Sequence, residues 1–313
     1  MRFFIALLAL TFTLGACGNS TSPSSPSTPY VAAPIADLAA GTEMQVRGNH
    51  TGWWRADIQN PGSGSGENRA NGIGPKLQKI ITTGTVGDYK VVFRRNAISN
   101  NGNLVHAKKE YGDATFTMPA NGGVVAGVTS LNYKYTIARN NDNLVYTLTG
   151  LFSISTRPID LGPPPTNPGR FAYGGYVAGS YTPAGDVPTA GSATYNGGFI
   201  GQSSVAGTVT GTAQVNVNFA AAINQVSGSI TGISGNGYSL NDLSISATIA
   251  PADGSYTGIV TAGAQPAGDA GMPINTIGKI DGGFYGPSAE ETGATIYIEN
   301  STHHLTGAIG GSQ

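Results

Sequence analysis

Any chemistry in this chain has to come from a small set of side chains. There are four histidines, His50, His106, His303 and His304. Histidine is a standard ligand for metals and for haem iron, so the adjacent pair His303 and His304 is a candidate ligand site. Neighbours on an extended segment point to opposite sides, and a solvated turn accounts for the pair more simply. The carboxylates Glu290 and Glu291 are also adjacent, but neighbours on one turn diverge instead of facing a sugar from two sides as a glycosidase requires. Trp53 and Trp54 are the two tryptophans. On a strand one would face inward and the other outward, where tryptophan is enriched at binding hot spots. Arg94 and Arg95, with Lys108 and Lys109 nearby, suggest a basic strand pair. It would suit an acidic partner or haem propionates, or it would guard a sheet edge by charge. The sequence has no Gly-x-Ser-x-Gly, no His-Glu-x-x-His, no P-loop and no dinucleotide fingerprint. The chain is therefore not expected to be an enzyme. It assigns no metal site and requires no cofactor, haem being the one its histidines would hold, and nucleic acid is not an expected partner.

The elements that must carry these residues are strands. In residues 207–219, Val209, Ala213, Val215, Val217 and Phe219 alternate with Thr208, Thr210, Thr212, Gln214, Asn216 and Asn218. Strict alternation of this kind marks a strand with one dry and one wet face. Leu243, Ile245, Ala247 and Ile249 repeat the pattern, as do Val226, Gly228 and Ile230. Tyr133, Tyr135 and Ile137, then Leu144, Tyr146 and Leu148, do so earlier in the chain, with a hairpin turn expected at 140–143. No helical period of useful length is present. Such spacing of strands and turns suits a meander or barrel. Alanine and glycine on the dry faces favour a packed interior over a lipid-facing exterior.

Only 11% of the residues are charged and the net charge is −1. Residues 30–170 hold 14 basic and 9 acidic residues, whereas residues 171–313 hold Lys279 against 8 acidic ones. The sign changes beside the run Pro163-Pro164-Pro165, which cannot donate ladder hydrogen bonds. These features place a β-rich first domain at 41–160, a linker at 161–170 and a barrel at 171–313. The Gly/Ser/Asn-rich residues 60–74 read as a long loop.

The lone Cys17 closes an apolar run that begins after Met1-Arg2 and ends Leu14-Gly15-Ala16. That run is too short to span a bilayer, which takes about 20 apolar residues. It resembles a bacterial lipoprotein signal peptide: residues 1–16 would be removed and Cys17 acylated, palmitate included. The Ser/Pro-rich stretch within 17–40 would then be a tether between membrane and domain.

One segment is dense enough to suggest a family. In Gly282-Gly283-Phe284-Tyr285-Gly286-Pro287-Ser288-Ala289-Glu290-Glu291-Thr292-Gly293, Phe284 and Tyr285 should lie on opposite faces, one of them in the core. Gly286-Pro287 should stop the strand, and Ser288 with Glu291 should form a capping box around one helical turn. This stretch, with residues 189–197, 213–221, 225–230 and 305–309, resembles the C-terminal barrel of the transferrin-binding protein B family. Ala294 stands where that family usually has a second glycine. The chain has room for one lobe, so it looks most like the single-lobe surface lipoproteins of Gram-negative bacteria. The resemblance implies an all-β fold, a β-rich handle followed by an eight-stranded antiparallel barrel. It also implies display on the outer membrane and capture of an iron source, haem or a host iron or haem protein, for delivery to an outer-membrane receptor. A non-enzymatic adhesin or immune-evasion role on the same barrel is the alternative.

Overall fold

The computed structural model describes residues 32–47, 51–55, 76–85, 88–98, 104–117, 123–125, 129–130, 133–140, 143–156, 170–222, 225–264, 271–300 and 303–313. Cys17 and the signal peptide, His50, the loop at 60–74 and the linker at 161–169 lie outside them.

The first ten strands are β1 (Glu43–Arg47), β2 (Thr51–Arg55), β3 (Lys76–Thr82), β4 (Asp88–Ile98), β5 (Leu104–Thr117), β6 (Gly123–Val125), β7 (Thr129–Ser130), β8 (Tyr133–Arg139), β9 (Thr147–Thr156) and β10 (Arg170–Gly179). They form one sheet in the order β5-β4-β3-β1-β10-β9-β8-β6, with β2 also pairing β10 and β7 pairing β8. This sheet is the expected handle. The expected hairpin around residues 140–143 joins β8 to β9, which pair from Tyr133↔Thr156 to Arg139↔Gly150.

The remaining strands are β11 (Ser192–Ser203), β12 (Gly207–Asn218), β13 (Val226–Gly235), β14 (Tyr238–Ser239), β15 (Leu243–Ile249), β16 (Ser255–Ala262), β17 (Ile277–Tyr285), β18 (Glu291–Glu299) and β19 (His304–Ser312). Their order is β12-β11-β19-β18-β17-β16-β15-β13, and an additional β12–β13 pairing closes the ring. The result is the eight-stranded antiparallel barrel that the sequence led us to expect, with β14 a short hairpin appended to β13. All eight members carry regular ladders, so closure leaves the barrel no free edge.

The alternation decides which side is dry. Val209, Ala213, Val215 and Val217 are buried while Thr208, Thr210, Thr212 and Gln214 are exposed. Leu243, Ile245, Ala247 and Ile249 likewise turn inward. They join Tyr195, Phe199, Tyr256, Phe284 and others in a single apolar core inside the barrel. An apolar interior behind a polar wall is the reverse of a lipid-embedded barrel.

One expected boundary moves. Residues 171–313 were assigned to the barrel, yet β10 pairs with β9, β2 and β1 and so belongs to the handle sheet. The change of sheet falls between Gly179 and Ser192 instead, through a connector containing a short 3-10 turn at Ala184–Asp186. The prolines mark a break in the ladder, but the chain returns afterwards to the sheet it left.

Two phenols are sealed in the core. Tyr195 donates to the Ala289 carbonyl at 2.7 Å, and Tyr256 shares a 2.9 Å hydrogen bond with Thr292. Burial pushes the Tyr195 phenol up from 10.0 to about 12, against the pull of its hydrogen bond with Gln313 and with a small upward push from Glu290. Burial pushes Tyr256 further up, with the Thr292 bond opposing. A raised folded value means the fold favours the neutral phenol. That stabilisation is complete below the unfolded value of 10.0 and disappears as pH climbs through about 12. The barrel should therefore lose stability steadily across that window. Tyr195→Phe should flatten the loss, as read by denaturant unfolding at a series of alkaline pH values. A variant with the same alkaline slope as the parent would remove Tyr195 as its cause.

Candidate functional site

Val31–Gln313 is one compact unit, so the handle and barrel can be described together. Strands β9 and β10 of the handle lie on the outer wall of β18 and β19. That is why β18 and β19 are buried on both faces along nearly their whole length. The inward set, such as Ile296, Ile298, Leu305 and Ile309, fills the barrel core. The outward set includes Gly293, against which Val177 and Thr147 of the handle pack. Val177 also joins Tyr285 and Ala308 in a small apolar cluster between the layers, flanked by Tyr146 and Tyr181. Phe284 and Tyr285 thus divide as expected, one into the barrel core and the other toward the handle.

The motif's end behaves differently from expectation. Residues 286–290 form a turn and not a helical one. Gly286 (φ +86°) and Ala289 (φ +62°) both take the left-handed conformation. Five residues bring the chain from Tyr285 back to its partner Glu291, and two of them in left-handed conformation interrupt any right-handed helical turn. The expected capping box is therefore absent. Glu290, not Glu291, braces the turn, its Oε2 accepting from the Ser288 amide at 2.8 Å. The strained Ala289 is held by its carbonyl, which accepts from Tyr195 and from the Gln313 side chain at 2.8 Å.

Glu291 is 4% exposed. Its carboxylate leaves the barrel and accepts two handle amides, Val145 N–H on Oε1 at 2.6 Å and Tyr146 N–H on Oε2 at 3.0 Å. Beside it the connector sews the same two layers. The Ser180 amide donates to Tyr146 O at 2.9 Å, and the Gly286 amide donates to Ser180 O at 2.9 Å. The Thr182 hydroxyl donates to Gly286 O at 2.7 Å. Nothing local in the sequence announces Val145 and Tyr146 as partners of a carboxylate so far along the chain.

The junction defines a near end of the barrel, with turns at 219–225, 250–254 and 286–290. The far end carries the connections at 204–206, 236–242, 263–276 and 300–303, about 30 Å away along the nine residues of β18. Here Asn241 is buried and fully used. It donates to Gly263 O at 2.9 Å and Met272 O at 3.0 Å, and accepts from the Met272 amide at 2.7 Å. It thereby folds Met272 into the mouth of the barrel. Around this mouth Tyr238, Ile274 and Ile277 are 42%, 61% and 62% exposed.

The two histidines do point to opposite sides, but one of them is not solvated. His304 opens β19 on its handle-facing side, is 6% exposed and stacks on Tyr173 at 5.5 Å. The simple turn expected for both residues therefore holds only for His303, whose amide donates to Asn300 Oδ1 at 2.7 Å. His303 borders a recess of about 10 Å³ with Ser203, Leu240 and Met272, room for roughly one water. Trp53 and Trp54 lie on β2, opposite Ala172 and Phe171 of β10. One step along, Gly52 pairs with Tyr173, so β2 reaches the neighbourhood of His304. Arg94 and Arg95 sit on β4 opposite Glu110 and Lys109, with β3 and β1 between them and β10. The structure does not gather the basic pair and the histidines into one site. Among the described residues, no group of three or more His, Cys, Asp or Glu is placed to hold a metal ion.

Residues 187–313 match the family described as the C-lobe and N-lobe beta barrels of Tf-binding protein B. The barrel is similar to the barrels of that family. Similar solved structures include the isotype 1 transferrin-binding protein B of serogroup B Neisseria meningitidis. It has 13% identity over 87% of this chain and 77% of that one, with a TM-score of 0.40. A variant of transferrin-binding protein B from Haemophilus parasuis gives 15% identity over 76% of this chain, which spans 54% of that one, with a TM-score of 0.43. The N-lobe domain of lactoferrin-binding protein B of Moraxella bovis gives 12% identity over 88% of this chain and all of that one, with a TM-score of 0.36. No curated protein matches the chain. Residues 282–293, within the matched range, form both a barrel turn and the seam between the two domains.

Proposed function

We propose that this protein is a lipid-anchored lipoprotein of the bacterial outer-membrane surface. On this reading it captures a host iron-carrying protein at the far end of its barrel for hand-over to an outer-membrane receptor. It acts by binding and not by catalysis. The observation that carries the reading is the difference between the two barrel ends. The near end is engaged by the handle through Glu291 and the connector, and the described chain enters beside it, where the Ile35 amide donates to Val145 O at 2.9 Å. The far end points away from that entry and exposes Ile274 and Ile277, large apolar side chains of the kind enriched at protein contact sites, with Tyr238 exposed on β14 farther round the rim. A tether from Cys17 would enter at the near end and leave the far end clear of the membrane. Relatives of the barrel carry transferrin and lactoferrin in their names, which supports an iron-carrying protein as the ligand. Haem has less in its favour, because the recess beside His303 holds about one water and His304 is covered by Tyr173.

The test is binding of the acylated protein to immobilised transferrin and lactoferrin, with a haem titration read at the Soret band in parallel. The double variant Ile274→Asp, Ile277→Asp should weaken capture at least about tenfold at unchanged melting temperature, as loss of a hot spot does. Full binding by that variant, or a haem band with no protein capture, would overturn the proposal.

A further inference from the structure

We infer that Glu291 is the pin of a three-way junction that fixes the angle between the entering chain, the handle and the barrel. The pinned element is the two-residue step Val145-Tyr146 just before β9. Its four backbone groups are claimed from three directions of the fold. The Val145 and Tyr146 amides both go to the Glu291 carboxylate of the barrel. The Val145 carbonyl accepts from Ile35 of the entering segment, and the Tyr146 carbonyl accepts from Ser180 of the connector. One peptide step is thus the only described link that touches the entry, the handle hairpin, the connector and the barrel together.

The chemistry specifies a carboxylate. Both partners are N–H donors, so the group between them has to be an acceptor at both oxygens. Glutamine offers one oxygen and turns an N–H₂ toward the second amide. Bracing the turn does not explain the residue, because Glu290 does that while both Glu291 oxygens accept from handle amides. Charge-assisted bonds to two amides are stronger than neutral ones, and the carboxylate that accepts them is itself buried. The residue therefore acts by position, setting how the handle sits on the barrel. If the proposed display at the far end holds, this pin sets the attitude in which that end is presented. The pin itself does not depend on that reading.

Amide hydrogen exchange on the mature chain tests it. In Glu291→Gln the amides of Val145 and Tyr146 should exchange about tenfold faster or more, the effect expected for losing hydrogen bonds to a charged group. The radius of gyration by small-angle scattering should rise, while the amides of β11 to β16 keep their protection. Val145→Pro removes one donor from an exposed handle residue and leaves every barrel side chain in place. It should speed exchange at Tyr146 and raise the radius of gyration in the same way, and it decides the matter if Glu291→Gln does not fold. Parental exchange at Val145 and Tyr146 in folded Glu291→Gln, or at Tyr146 in folded Val145→Pro, would overturn the inference. So would acceleration spread evenly through the barrel, since that marks a core residue and not a pin. Neither outcome requires a ligand, so the result is independent of what the far end binds.

Discussion

Phe284→Ala should be the most damaging single change inside the barrel, costing about 3–5 kcal/mol. Phe284 is 2% exposed and sits where three other rings meet. Its centroid lies 5.5 Å from Phe219, 5.6 Å from Tyr256 and 6.0 Å from Tyr195, all tilted. Truncation removes the buried area of one ring and strips those three of a partner, and closed barrel walls cannot collapse to fill the space. In a domain of this size the loss corresponds to roughly 10 °C or more in melting temperature. Thermal unfolding by circular dichroism measures it, with exposed Thr210→Ala as the control. A Phe284→Ala midpoint no lower than the control's would refute the central role given to this ring.

The second large effect lies between the layers. Gly175 of β10 comes so close to β19 that an added Cβ would sit 2.0 Å from the Gly307 carbonyl oxygen. The obstacle is backbone on both sides, so no rotamer change relieves it and the handle strands would have to rise by more than 1 Å along their length. Gly175→Ala should cost about 3 kcal/mol, the upper range for overpacking. It should also uncouple the domains: unfolding followed by Trp53 and Trp54 fluorescence, which reports on the handle, should separate from unfolding of the barrel. Gly185→Ala is the matched control, because its Cβ meets nothing within 4 Å. Coincident transitions at the parental midpoint would show that the sheets tolerate the methyl group, against the packing described here.

These two residues show what a single sequence reveals and what it hides. The strands at 207–218 and 243–249 were legible because each has water on one side and the core on the other, so their composition alternates. The last two strands are not, because both of their faces are buried. Their high glycine content is the only trace of the second layer lying on them. The domain boundary misled for a similar reason. Three prolines interrupt the ladder visibly, whereas the pairing that returns β10 to the handle, Gly174↔Thr51, joins residues more than a hundred apart. Glu291 matched a helix-cap pattern because that pattern is local, while its true partner is 146 positions away. His304 looked like a surface turn residue until Tyr173 was seen to cover it. Strand existence is written locally. Contacts between layers are written only in the fold.

The ring is closed by β19, which joins β18 on one side to β11 on the other and also forms part of the floor beneath the handle. A chain that emerges from its N-terminus first therefore holds both domains unfinished until its final strand is free. Until then β11 and β18 each keep an open edge, and the β11–β19 pairing that closes the ring joins residues about a hundred apart, the kind of distant contact that forms slowly. Deleting the last nine residues should cost far more than one strand, leaving the first domain without a seat and the second without a seam. Until β19 pairs, those two edges are the places where a partly folded chain would add a strand from a neighbour.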